Sequence, residues 1–170
     1  MASQITYANL FSEPRNNVVA LLTSANISDP TISSAEYRKW IYSRFPDVKA
    51  ASFSGYPIII VKSTDLDIEM LNGTADGKSR VVNFDIEIEI YTSDRGYGSA
   101  DGKGLSHMDS ISDDIIKTFM NVTNRNTLRN FGLSSAMIQP TAISEEAKNN
   151  ELIYKRIIPL SFMNRITVSA

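Results

Sequence analysis

From Arg80 to Thr92 the chain alternates: Val82, Phe84, Ile86, Ile88 and Ile90 are apolar, while Asn83, Asp85, Glu87, Glu89 and Tyr91 stand between them. Successive side chains on a strand point to opposite faces, so this period of two predicts a half-buried antiparallel strand with one greasy face and one acidic face. At about 3.3 Å per residue the segment spans roughly 40 Å, and a domain of this size is itself only about 40 Å across. The strand therefore crosses the whole domain. Asn72-Gly73-Thr74-Ala75-Asp76-Gly77-Lys78 ahead of it holds two pairs suited to positive φ, which predicts a hairpin loop with Asp65 to Leu71 as the other side.

The elements around this hairpin follow from local signals. Ser12-Glu13-Pro14-Arg15 has the hydroxyl, acid and proline of a helix start, and Val18, Leu21, Leu22 and Ala25 continue at helical spacing to about Asn26. Asp29-Pro30 ends that helix. Ser33 to Phe45 fits a helix through Tyr37, Trp40 and Ile41 or a strand through Trp40 and Tyr42; a strand from Lys39 to Phe45 is preferred, closed by Pro46. Tyr56 to Lys62, with Pro57 near its first position, predicts a buried strand. Gly96, Gly98, Gly102 and Gly104 predict a mobile loop. A second helix opens at Ser106 or His107, with Met108, Ile111, Ile115, Phe119 and Val122 as its apolar stripe across the sheet. Strands around 135–144 and 152–165 follow, separated by the polar turn Glu145 to Asn150. The expected fold class is α+β, a mainly antiparallel sheet with a long β-hairpin, an N-terminal helix and one helix packed across it.

Residues 1–170 carry no repeat and no linker rich in Pro, Gly and Ser, so they read as one domain. At 170 residues folding buries roughly 70% of the unfolded chain's surface, enough for one core without staples. No apolar run approaches the ~20 residues that span a bilayer. Met1-Ala2-Ser3-Gln4-Ile5 lacks the blocks of a signal peptide, so the protein is expected to mature where it is made, and its sequons at Asn26, Asn72 and Asn121 read as chance matches. With no cysteine, the sequence excludes disulfides, thiolate ligands and cysteine nucleophiles. A net charge of −2 and no basic block longer than Arg38-Lys39 argue against tight nucleic-acid binding, which needs clustered cations.

No enzyme signature emerges. The glycine loop fails the P-loop spacing, because Lys103 is followed by Gly104 rather than Ser or Thr. Asp85, Glu87 and Glu89 share a face, but Cβ atoms nearly 7 Å apart suit a solvated stripe better than one coordination sphere. Asp109, Asp113 and Asp114 suit the positive end of a helix dipole. His107 is the single histidine and has no nucleophile motif near it, so a helix-start or surface role is expected. Trp40, with Tyr37, Tyr42 and Phe45, reads as core or protein interface before it reads as a stacking platform. Neither a cofactor nor a metal is expected.

Arg15-Asn16-Asn17-Val18-Val19-Ala20-Leu21-Leu22, Trp40-Ile41-Tyr42-Ser43-Arg44-Phe45-Pro46 and Gly55-Tyr56-Pro57-Ile58-Ile59-Ile60-Val61, together with the strand Val82 to Thr92 and the helix Asp109 to Met120, span most of the chain. In this order they resemble the tail terminator, or tail completion, proteins of long-tailed bacteriophages. The resemblance implies a ring, commonly a hexamer, that caps the finished tail tube, stops addition of tube protein and presents a surface to the head-side connector or neck protein. The implied location is the head-proximal end of the virion tail, after assembly in the host cytoplasm.

Function would then reside in interfaces between subunits and with the tube, and each stable contact should bury about 1,600 Å². Trp40, Tyr42, Tyr91, Arg95 and Tyr97 are the expected interface residues. Asp85, Glu87 and Glu89 are expected to face the channel, where carboxylates would repel passing DNA phosphates. A neck adaptor would share the fold and size. A small ligand-binding module, with its mouth at Gly96 to Gly104, is the alternative from another class, and an enzyme built on His107 is the weakest.

Overall fold

The computed structural model describes residues 9–25, 27–32, 38–50, 53, 55–70, 79–94, 103–139, 141–148 and 151–167. These form α1 (Glu13–Ser24), β1 (Ile41–Tyr42), β2 (Ile58–Met70), β3 (Ser79–Ser93), α2 (Gly104–Met120), α3 (Val122–Asn130), β4 (Ser134–Ile138), β5 (Ser144–Lys148) and β6 (Glu151–Thr167). The fold is α+β. The strands make one mostly antiparallel sheet in the order β1-β2-β3-β6-β4, with β5 also paired to β6.

The alternating segment is β3 at the centre of this sheet. It pairs antiparallel with β2 from Ile58↔Tyr91 to Met70↔Arg80, and with β6 from Ser79↔Thr167 to Ser93↔Ile153. The two strands expected at 56–62 and 65–71 run on as one, with a bulge between Ser63 and Asp65 where the register slips. Residues 71–78, where the hairpin turn is expected, lie outside the described residues. The strand expected from Lys39 to Phe45 shrinks to Ile41–Tyr42, parallel to Ile59–Ile60.

All five alternating apolar residues of β3 are buried on one face, with Ile59 and Val61 from β2 and Ile158, Leu160 and Phe162 from β6. The helices cover this inner face: α1 supplies Val18, Leu21 and Leu22, and α2 supplies Met108, Ile111, Ile115 and Phe119. Each fully buried aliphatic side chain contributes about 1.5–3 kcal/mol, so this layer is the main source of stability.

Several helix boundaries differ from expectation. Ser12 makes no side-chain cap, and the carbonyl of Asn9 takes the amides of Ser12 and Glu13 instead. The second helix starts at Gly104, before Ser106 or His107, so Gly104 belongs to a buried helix end rather than to the glycine loop. A Cβ there would lie 2.7 Å from the Tyr154 ring and 2.9 Å from the Ser93 carbonyl carbon, which leaves room only for glycine. Val122 does not extend the stripe: the chain turns at Asn121, whose side-chain oxygen accepts from Thr123 N and Asn124 N at 2.9 and 3.2 Å, and α3 begins. Gly132, with φ 91°, closes α3 while Leu133 N bonds Leu128 O.

The polar stretch expected as a turn from Glu145 to Asn150 is largely strand, because β5 pairs with β6 from Ser144↔Lys155 to Lys148↔Glu151. Pro159 sits inside β6 at little cost. Its carbonyl and the N–H and C=O of Ile157 point to the side where Gln139 and Thr141 meet β6, so the donor that proline lacks falls in the gap between β4 and β5.

Candidate functional site

The outer face of the sheet, away from the helices, carries Asp85, Glu87, Glu89 and Tyr91. Its two ends differ. At one end Ile58 and Ile60 are fully buried although they point away from the main core. The segment following β1 covers them: Phe45 stacks edge-on against Tyr91 at 5.4 Å, and Phe53 against Tyr56 at 5.7 Å. Beneath that cover lies Glu89, only 3% exposed, with Lys62 Nζ at 2.5 Å, Lys155 Nζ at 2.8 Å and the Tyr91 hydroxyl donating at 3.2 Å. Burial alone would raise the Glu89 pKa, but hydrogen bonds from Lys155 and Lys62 outweigh it and hold the carboxyl below its ordinary value. Burial would likewise lower Lys155, and its bonds to Glu89 and Tyr91 raise it instead. Desolvation raises the Tyr91 phenol.

This corrects the picture of three acids on one solvated stripe. Glu89 is a buried, doubly paired ion, because the register sets Lys62 and Lys155 on the strands flanking it. Glu87 is partly exposed, and Asp85 is exposed at the other end, where it accepts a 2.6 Å bond from Ser161 and stands directly opposite Asp65. There the outer face has no covering element among the described residues, and Met137 and Met163 are 59% and 46% exposed.

Of the expected interface residues, Trp40 is packed in the core at 8% exposure, so its ring offers little to a partner. Tyr42 is partly exposed, its hydroxyl donating to Lys39 O at 2.7 Å, and Tyr91 is half-buried beside Glu89. Arg95 and Tyr97 lie outside the described residues, as does the glycine loop through Gly102.

His107 sits in the first turn of α2, its N–H donating to Lys103 O at 2.9 Å, but it is not a surface residue. It is 9% exposed within α2, and burial followed by the Lys103 charge lowers its pKa, with Asp29 acting weakly the other way. Asp29 itself is bound to Arg38 at 2.5 Å. Arg38 is the residue that sequence reasoning missed. Buried at 8%, it also donates to Gly55 O at 3.0 Å and Pro57 O at 2.7 Å and lies over the Trp40 ring, tying two loops to the start of the sheet. An arginine two residues before a tryptophan was the only signal, and it does not reveal the partners.

Among the described residues no cluster of three or more His, Asp or Glu is placed to hold a metal, and no helix is long and apolar enough to cross a membrane. No protein-family model matches the sequence, and a search of curated proteins finds no match.

Proposed function

We propose that this chain is a structural virion protein of a long-tailed phage: a tail terminator that closes into a homo-oligomeric ring on the tail tube, ends its growth and offers the joining surface to the head-side connector. The single observation that carries the reading is the half-covered sheet. Three long strands run together beyond the segment that covers Ile58 and Ile60, leaving the outer face around Asp85, Ser161 and Met163 and the edge of β2 past Ile60 without a covering element among the described residues. A sheet edge left open in this way is suited to meeting other subunits, and the open face beside it to lining a channel.

In this reading β2 and β3 form the long hairpin of the terminator fold. Asp85 and Glu87 are the carboxylates that would face the channel and keep DNA phosphates from adhering, whereas Glu89 is already neutralised by Lys62 and Lys155. Function then resides in contacts with the same chain, with tube protein and with the connector.

Native mass spectrometry and negative-stain microscopy of the purified chain, followed by its addition to growing tail tubes, test the reading. A closed ring that arrests tube growth is expected. A strict monomer that leaves tubes growing overturns it, and a ring that binds the connector but not the tube assigns the chain to the neck. Asp85→Asn with Glu87→Gln should leave the ring intact and slow DNA ejection; unchanged ejection removes the channel role.

A further inference from the structure

A knob and a groove lie at opposite edges of the sheet, at one level along its strands. Leu66, Phe84 and Phe162 are direct cross-strand partners on β2, β3 and β6. Beside Leu66, at the β2 edge, Phe11 projects with 73% of its surface exposed, and Ile68 is 38% exposed. Asp65 and Asp67 on the same edge are exposed and form no ion pair among the described residues. Beside Phe162, at the far edge, α3 and Leu133 wall a groove of about 430 Å³. Val122, Arg125 and Arg129, spaced three and four apart, share the helix face that lines it. Both arginines are exposed and without an ion pair among the described residues, and Val122 is 69% exposed.

We infer that these surfaces are the two sides of one contact between copies of this chain. Phe11 of one copy enters the α3 groove of the next, while Asp65 and Asp67, on the outer side of the same edge, are met around that edge by Arg125 and Arg129. Complementary charge selects a second copy as the occupant, since each copy carries an acidic apolar edge and a basic apolar groove that fit each other but not themselves. A contact between two different patches is heterologous and propagates head to tail. Both patches sit at the level of the Leu66–Phe84–Phe162 row, and repetition of the contact gives a ring where the rotation between copies closes. The bulge at Ser63 and Asp65 and the acids beyond it blunt the β2 edge for backbone pairing, so the contact forms through side chains rather than strand addition. Phe11 is the anchor, as aromatic side chains seated in pockets carry most of an interface's affinity.

The inference rests on the ring proposed above and specifies how it closes. It is tested on the full chain by sedimentation and native mass spectrometry. Phe11→Ala, Asp65→Arg with Asp67→Arg, and Arg125→Glu with Arg129→Glu should each weaken self-association by roughly a hundredfold. The chain carrying all four charge reversals should assemble again, as should an equimolar mixture of the two double variants, whose copies alternate around the ring. All these positions are exposed, so circular dichroism should be unchanged. Should a reversal unfold the chain, Asp65→Asn with Asp67→Asn and Arg125→Gln with Arg129→Gln give the weaker form of the same loss. A wild-type ring that persists in every variant overturns this contact and leaves the ring reading standing, whereas a wild type that never associates overturns both. Variants that dissociate but are not rescued by the four-fold reversal also overturn the pairing.

Discussion

The two ends of the outer sheet face are built on the same three strands, yet one is a second small core and the other a surface. At the covered end Ile58 and Ile60 have no exposure and Glu89 is clasped by two lysines; at the open end Asp85 stands in solvent opposite Asp65, with Met163 half exposed. The alternation along β3 does not distinguish them. What differs is the chemistry that the neighbouring strands supply in register, and whether the segment around Phe45 passes over it. Stability is thus concentrated at one end of the ribbon, and the other is left available for contact.

The sharpest way to break that contrast is to remove the same kind of apolar bulk from each end. Ile60→Ala should cost about 2–5 kcal/mol, since it leaves a cavity beneath the cover. Met163→Ala at the open end should cost under about 1 kcal/mol, because much of that side chain is already in water. Urea denaturation of the two variants compares them directly, and equal losses would mean that the open end is as well packed as the covered one.

How much of this was legible in the sequence depends on what each segment is buried against. The β3 alternation and the Met108 to Phe119 stripe were legible because one face meets a core and the other does not, and that asymmetry is written into residue type. β5 was not, since Ser144 to Glu146 are exposed and its only reason to be extended is the ladder to β6. α3 was missed for a similar reason: it buries only Leu128, and its start is an Asn121 cap rather than an apolar period. At the candidate site the acids were found, but their fates were not. The burial of Glu89 depends on Lys62 and Lys155, which are brought beside it by the sheet register and not by sequence proximity. Arg38 was missed because its partners, the Asp29 loop and the turn at Gly55 to Pro57, meet only in the folded chain, and Trp40, read as core or interface, is settled as core only by that packing.

The charged pair of the contrast is Glu89 against Asp85. Glu89→Gln should cost about 1–3 kcal/mol, because it leaves two lysines facing a neutral group; their own partial exposure keeps the loss below that of a fully buried pair. Acid should reproduce it in the wild type. The folded pKa of Glu89 lies below its ordinary 4.5, so its contribution is complete above that value and is lost as pH falls through the depressed pKa. His107 acts in a higher window: its folded pKa is lowered from 6.5, so stability falls as pH drops below 6.5 toward the folded value. Urea midpoints from pH 7 downward should therefore decline in two stages, the lower one missing in Glu89→Gln and the upper one missing in His107→Gln. A single decline that neither substitution changes would assign the acid sensitivity to other groups.

The smallest expected effect lies at the open end and is the most diagnostic of its purpose. Asp85→Asn removes one of two carboxylates held directly opposite each other across β2 and β3, a like-charge pair that opposes sheet formation, and weakens the 2.6 Å bond from Ser161. These effects have opposite sign, so the change in stability should fall within about 0.5 kcal/mol of zero, and at low salt should lean toward stabilisation. Comparing urea midpoints at low and high ionic strength separates them, since screening relieves the carboxylate repulsion but leaves the hydrogen bond largely untouched. A gain at low salt that disappears at high salt would mean that the isolated chain bears a small electrostatic strain at Asp65 and Asp85. Such strain is expected of a surface whose charges are arranged for what it meets rather than for the stability of the subunit alone. A loss above about 1 kcal/mol that ignores salt would instead make Asp85 a fixture of the sheet and remove it from the candidate contact surface.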